Sequence, residues 1–438
     1  MGRRRQTTDL HVFMNGLTVG TLTRQPNGVL AFSYHLDWLQ SDRCRPISLS
    51  MPLRLPPYRG GVVENFFDNL LPDSLPIRRR LQARFGAPSD RCFDLLWHIG
   101  RDCVGALQLS PDKAAPEVRK ITCRPLRDSE IAEILKNYRT MPLGMRDDED
   151  FRISLAGAQE KTAFLHVNGQ WHLPLGPTPS SHIFKLPIGR IEQSGLDLSD
   201  SVENEWLCHQ ILQAYGLPVA RVEMARFDDV KALVVERFDR RWATDGSWLM
   251  RLPQEDMCQA LNIPPALKYE SQGGPGMAPI MDLLLGSVTS LEDRRTFIAT
   301  NVLFWMLAAI DGHAKNFSIF LLPENRFRLT PNYDVISAWP LVSQKQLAVP
   351  KLKMAMALTG RNRHYEWNRM LYRHWLTTAG QCRFPAEEMA AIIDEMMARL
   401  DEVIAQVAAR LPATFPAAVA EPVFAGMRQA REQMTQSK

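Results

Sequence analysis

No apolar run in this 438-residue chain is long enough to cross a membrane. The longest, Val302–Ile310, falls far short of the ~20 residues a spanning helix needs. The start is basic, but no apolar stretch follows it, so no secretory leader is expected. Cysteine is sparse and scattered. Cys44, Cys92, Cys103, Cys123, Cys208, Cys258 and Cys382 are odd in number and have no paired zinc-type spacing. Reduced thiols of the cytoplasm fit that pattern better than a disulfide framework or a metal site. Neither sign of charge prevails, since 52 Lys and Arg face 48 Asp and Glu for a net +4. Such a balance gives no support for nucleic-acid binding on its own. The runs Arg3-Arg4-Arg5 and Arg78-Arg79-Arg80 read as solvated surface.

Three signatures of common phosphate-handling enzymes are also missing. The chain has no G-x-G-x-x-G loop, no His-Arg-Asp and no Asp-Phe-Gly. The segment Ser154-Leu155-Ala156-Gly157-Ala158-Gln159-Glu160-Lys161-Thr162 ends like a Walker A motif, but Leu155 and Glu160 stand where that motif needs glycines. What remains is a small-residue loop entering a strand. It is either an ordinary tight turn or a phosphate cradle in which Gly157, between Ala156 and Ala158, lets backbone N–H groups come close.

With 45% hydrophobic and 23% charged residues, a globular chain of two or three domains is expected. Asn15-Gly16 between Leu10–Met14 and Leu17–Leu22 is a strong hairpin signal. Asn27-Gly28 and Asn168-Gly169 repeat it. The pattern gives a β-rich module over 1–140, with helices between 62 and 100. A second region over 141–240 reads strand, strand, strand, helix, strand, strand. Its helix starts with Ser201 as N-cap and ends at Gly216-Leu217-Pro218. Residues 241–438 form a helical lobe. It contains a buried central helix over Asp293–Ile310 and one long amphipathic helix over Ala386–Leu411. The fold class is α+β with two kinase-like lobes, and a cleft between them could receive a nucleotide.

The chemistry concentrates in Asp311-Gly312-His313-Ala314-Lys315-Asn316, with Asp334 beyond a hairpin. The hairpin runs from Phe317–Leu322 to Phe327–Leu329, so it should bring Asp311, Asn316 and Asp334 into one small volume. One carboxylate can orient an attacking hydroxyl, while Asn316 and Asp334 supply hard oxygen donors for Mg²⁺. Lys185 lies in a short apolar strand ahead of a helix carrying Glu203 and Glu205. A strand lysine paired with a helix glutamate is the phosphate-binding device of kinase N-lobes, and Glu205 is the favoured partner. The strand end Glu236-Arg237-Phe238 would cross between lobes and offer backbone groups to an adenine ring. Leu267–Gly276 reads as a flexible connector or a substrate-receiving loop.

On these residues the chain resembles the HipA family, the serine/threonine kinase toxins of bacterial toxin–antitoxin pairs. The strings that carry the resemblance are Asn65–Asp73, Asp150–Thr162, Val235–Arg241, Arg251–Gln259, Asp311–Phe317 and Tyr333-Asp334. They span nearly the whole length. The resemblance implies ATP and Mg²⁺, with Asp311 as catalytic base and Asn316 and Asp334 as metal ligands. Lys185 would bind phosphate, and His313 and Lys315 would reach the γ-phosphate or the nucleotide. The loop from Ala156 through Gln159, Glu160 and Lys161 would cradle phosphate, with Ser154 the autophosphorylated serine. The implied partners are a HipB-type helix-turn-helix antitoxin, operator DNA bound through it, and glutamyl-tRNA synthetase as protein substrate. Translation arrest, dormancy and drug tolerance would follow. Two other functions fit the same lobes: a scaffold that acts only as corepressor, and a small-molecule phosphotransferase.

Overall fold

Asn15 and Gly16 take φ of 47° and 80°, and Asn168 and Gly169 take 50° and 78°. Two successive positive-φ residues make the turn whose twist matches a right-handed hairpin, so each Asn-Gly pair sets the register of the strands beside it. The computed structural model describes residues 9–140, 159, 161–192 and 194–438.

The first hairpin opens an antiparallel sheet of β1 (Asp9–Met14), β2 (Leu17–Arg24), β3 (Leu30–Tyr34), β4 (Tyr58–Arg59) and β5 (Leu107–Ser110), in the order β4-β3-β2-β1-β5. Helices Gly61–Asp68, Leu75–Phe85 and Cys92–Ile99 accompany it. Phe32, Phe66 and Phe67 are among its fully buried side chains.

A second sheet has the order β12-β13-β9-β7-β8-β6. Its strands are β6 (Cys123–Pro125), β7 (Lys161–Val167), β8 (Gln170–Pro174), β9 (His182–Lys185), β12 (Val222–Phe227) and β13 (Val230–Glu236). A small hairpin of β10 (Gly189–Ile191) and β11 (Leu196–Leu198) projects before helix Ser201–Ala214. The strand Cys123–Pro125 and the helix Asp128–Thr140 pack with this sheet, through Leu126, Ile131 and Leu135 against Phe164 and Phe184. Sequence pattern alone groups them with the first module, because a three-residue edge strand carries no periodicity of its own.

Two local expectations change. Ser201 is the first helical residue and Asp200 the N-cap; the Ser201 hydroxyl instead accepts from the Ile188 N–H at 2.9 Å. The stretch Ala386–Leu411 is two helices, Ala386–Ala398 and Leu400–Ala408, meeting at Arg399. The guanidinium there caps another helix end, donating to the carbonyls of Ala214 and Tyr215.

The helical lobe is built around Ser290–Met306. Trp305 and Trp367 stack at 5.3 Å, and each indole N–H donates to the other's carbonyl. Below this core, β14 (Arg240–Trp242) pairs β15 (Leu249–Arg251), and β16 (Gln254–Asp256), β17 (Ser318–Leu321) and β18 (Phe327–Leu329) form a three-stranded sheet in that order. No helix among the described residues is long and apolar enough to cross a membrane.

Candidate active site

A cleft of ≈ 440 Å³ lies where the two sheets and the helical lobe meet. Strand alternation decides what enters it. Along β9, Ile183 and Lys185 face the cleft, while Phe184 turns the other way and packs edge-on to Phe164 at 4.8 Å. Ile188, Ile191, Leu198, Val235, Phe238 and Ile336 complete an apolar end. The charged end collects Lys161, Lys185, Asp311, His313, Lys315, Asn316 and Asp334.

Lys185 is buried, and its ammonium donates to Glu205 Oε1 at 2.6 Å and to Asp334 Oδ1 at 2.8 Å. The expected strand–helix pair is therefore Lys185–Glu205. Glu203 lies elsewhere, paired with Lys231 at 2.6 Å. Burial opposes the charge on Lys185, but Asp334 and Glu205 outweigh it and hold the ammonium above its ordinary range. The two carboxylates share one cation and part company. Burial pushes Asp334 up, but Lys185 and Lys161 prevail and hold it well below the usual range. Burial wins at Glu205, whose value rises to about 7. The β7–β9 register places Lys161 directly across from Lys185. Burial, reinforced by that neighbour, lowers Lys161 to about 8.

The hairpin brings the remaining residues together as its ends require. Asn316 Nδ2 donates to the carbonyls of Asp311 at 3.0 Å and Asp334 at 3.3 Å. One amide thus ties both ends of the loop. Its nitrogen is committed, so its oxygen is the atom left to meet a cation. Asp334 takes a left-handed φ of 61°, unusual for a non-glycine residue and a mark of a position set by its surroundings. The Tyr333 hydroxyl donates to the Lys315 carbonyl at 2.7 Å, which ties the segment before Asp334 to the loop. Among the described residues no group of three or more His, Cys, Asp or Glu side chains is placed to hold a metal. An amide oxygen and a carboxylate suit Mg²⁺, which also takes phosphate oxygens and water. The donor set therefore fits a nucleotide-borne ion and not a protein-caged one.

Other expected residues lie differently. Lys315 is buried, and its ammonium donates to Asn69 Oδ1 and Asp73 Oδ1, both at 2.9 Å. It joins the loop to the first module. His313 packs edge-on to Tyr269 at 5.0 Å, with its Nε2 4.0 Å from Asp311 Oδ1. Burial lowers its pKa, against the pull of Asp311, and so favours the neutral ring. Arg237 lines the cleft, but its guanidinium donates to Asp239, Ser180, Asp102 and the Cys103 carbonyl. The N–H groups of Glu236 and Arg237 are also spent inside the fold, on the carbonyls of Arg221 and Ser181. Phe238 supplies apolar surface against Tyr333 and Phe320. Gln159 donates to the Leu186 carbonyl at 2.7 Å. Ser154, Ala156, Gly157, Ala158 and Glu160 lie outside the described residues.

Sequence reading assigns no chemistry to several residues at the charged end, among them Asn69, Asp73, Lys268 and Tyr269. Asn69 and Asp73 sat in a string recognised only by resemblance, and Tyr269 in a glycine-bearing stretch read as a connector or substrate loop. The Tyr269 hydroxyl donates to Asp311 Oδ1. Lys268 bonds Asp73 Oδ2 at 2.9 Å.

Comparison with known proteins agrees with this architecture. The family model of the HipA N-terminal domain matches residues 10–110, and that of the HipA-like C-terminal domain matches residues 153–404. Y4mE of Sinorhizobium fredii, named as a candidate kinase, is 35% identical over 343 residues, 77% of this chain and 79% of its own. The serine/threonine-protein kinase toxin HipA of Shewanella oneidensis is 28% identical over 346 residues, 76% of each chain. The solved complex of Shewanella oneidensis HipA with HipB and operator DNA contains a chain of the same fold. It superposes with a TM-score of 0.81 at 23% identity, covering 98% of this chain and 97% of that one. Two family models in sequence, over residues 10–110 and 153–404, place this chain in the HipA family.

Proposed function

We propose that the protein is an ATP-dependent serine/threonine kinase and the toxin half of a toxin–antitoxin pair. The observation that carries this reading is one connected unit. Lys185 bridges Glu205 and Asp334, and Asn316 joins the Asp334 backbone to that of Asp311. Catalysis of phosphoryl transfer is mostly positioning and charge stabilisation, and this unit offers both.

In this reading the apolar end of the cleft takes adenine. Glu236 and Arg237 spend their N–H groups internally, so the ring would meet carbonyls or the backbone beyond Arg237. Lys185, kept protonated, would bind phosphate. Asn316 Oδ1 and the Asp334 carboxylate would hold Mg²⁺, which supplies charge neutralisation when bound with ATP. Asp311, exposed at the mouth, would accept or orient the acceptor hydroxyl proton. Phosphate on Ser154 would add about −1.5 to −2 charge and switch nucleotide binding off. By family, the proposed partners are a HipB-type antitoxin, operator DNA through that antitoxin, and glutamyl-tRNA synthetase as substrate.

The test uses the full chain with γ-labelled ATP, Mg²⁺ and a bacterial lysate. Label on a discrete protein supports the kinase reading. Label on a small molecule points to a metabolite phosphotransferase, and no label at all to a corepressor scaffold; either result overturns it.

A further inference from the structure

Asp311 stands at the cleft mouth with its side chain 66% exposed. A carboxylate in such a place turns freely in solvent, and a base that must meet one hydroxyl gains from being held. One donor from a separate segment holds it here: the Tyr269 hydroxyl, on Asp311 Oδ1. That segment is itself anchored at several points. The Lys268 carbonyl accepts from the Ala314 N–H inside the catalytic loop, and the Lys268 ammonium is paired with Asp73. The Tyr269 carbonyl accepts from the N–H groups of Gln272 and Gly274, both at 3.0 Å. Glu270 Oε2 accepts from the Ala357 N–H at 2.7 Å. A Cβ at position 274 would lie 2.0 Å from the Leu267 carbonyl oxygen, so the tight fold of this turn depends on glycine there. The tyrosine ring packs against His313. These contacts describe a built wall of the cleft and not the loose connector that its glycines suggested.

We infer that Tyr269 is a positioning residue for Asp311, its hydroxyl holding one carboxylate oxygen so that the other is presented to the acceptor hydroxyl. The inference rests on the reading of Asp311 as the base. The phenol is fitted to the task, because burial and the nearby Asp311 charge raise its pKa well above the ordinary value and keep it a donor. Asp73 and Lys268 extend the support back to the N-terminal module, which thereby reaches the reacting end of the cleft.

The variants Tyr269→Phe and Asp311→Asn, each in the full-length protein, test this against wild type. The assay measures initial transfer from γ-labelled ATP and Mg²⁺ to lysate proteins, together with KM for ATP and the melting temperature. Tyr269→Phe keeps the ring against His313 and removes only the donor. The expected result is transfer slowed by about tenfold at saturating ATP, with KM for ATP within about twofold of wild type and melting unchanged. Transfer at the wild-type rate or faster in Tyr269→Phe, while Asp311→Asn is inactive, overturns the positioning role alone. A fall in rate matched by an equal loss of nucleotide affinity or by a lowered melting point also overturns it, since that marks a merely structural tyrosine. Full activity in Asp311→Asn removes the underlying reading and this inference with it.

Discussion

Lys185 sits between two carboxylates that it cannot neutralise equally. Asp334 holds it at the cleft side and Glu205 from the helix behind, and only Asp334 is kept firmly ionised. Replacing the lysine leaves the buried Glu205 and the partly exposed Asp334 without their shared cation. Lys185→Met should therefore cut phosphate transfer on the order of 10²-fold or more and weaken nucleotide binding, measured by titration with ATP and Mg²⁺. Wild-type affinity in that variant would remove Lys185 from the phosphate site. The pair was legible because both residues lie within one strand–helix step of a short apolar strand. Arg237 was not. Its side chain answers to Asp102 and Ser180, which are 135 and 57 positions away, and nothing local to Glu236-Arg237-Phe238 reveals them.

At the scale of elements, the catalytic loop was readable because a hairpin forces its ends together. What stabilises the loop from outside was not. The family resemblance implies a nucleotide contact for Lys315, and in the fold its ammonium pins the loop to the turn after helix Gly61–Asp68. Asp73 accepts from both Lys315 and Lys268, and these two lysines overcome burial to hold its pKa down to about 2. Asp73→Asn would leave two largely buried ammonium groups short of their anion. The expected loss is about 3–5 kcal/mol of stability in urea denaturation, accompanied by slower transfer as both loops loosen. Unchanged stability would show that Asn69 and Asp256, whose Oδ2 lies 3.9 Å from the Lys315 ammonium, suffice to hold the loop. The misplaced helix cap at Ser201 and the break at Arg399 share a cause. In each, a tertiary partner claims a side chain that local pattern would use for something else.

Over the whole molecule, the modules meet through buried charge and not only through apolar contact. Asp102 of the first module gathers Arg237, Arg240 and Arg251 from the strand end and the β14–β15 hairpin. Glu255 is fully buried on the other side of that junction. Its Oε1 accepts from the Leu49 N–H at 2.7 Å. Burial raises its pKa to about 8, so it folds as the neutral acid. Between the unfolded value near 4.5 and about 8 the native state binds the extra proton, and stability at this junction falls as pH rises through that window. Glu255→Gln should flatten the loss by a few kcal/mol between pH 5 and pH 9, read as the difference in melting temperature from wild type across that range. Parallel pH profiles for the two proteins would rule out this group as the cause. Two-lobed order was visible in the alternation of strands and helices. The joints were not, because they depend on single polar residues that meet across more than a hundred positions.

The proposed mechanism gives Asp311 the transfer step and the rest of the cleft the binding. The most direct measurement compares Asp311→Asn with wild type for affinity toward ATP with Mg²⁺ and for transfer of labelled phosphate to protein. The side chain is exposed, and the loop is tied by its backbone to Asn316, so the substitution should leave the fold and the affinity within about twofold. Transfer should fall by on the order of 10²- to 10⁴-fold. Full transfer in Asp311→Asn, at unchanged affinity, would contradict the account.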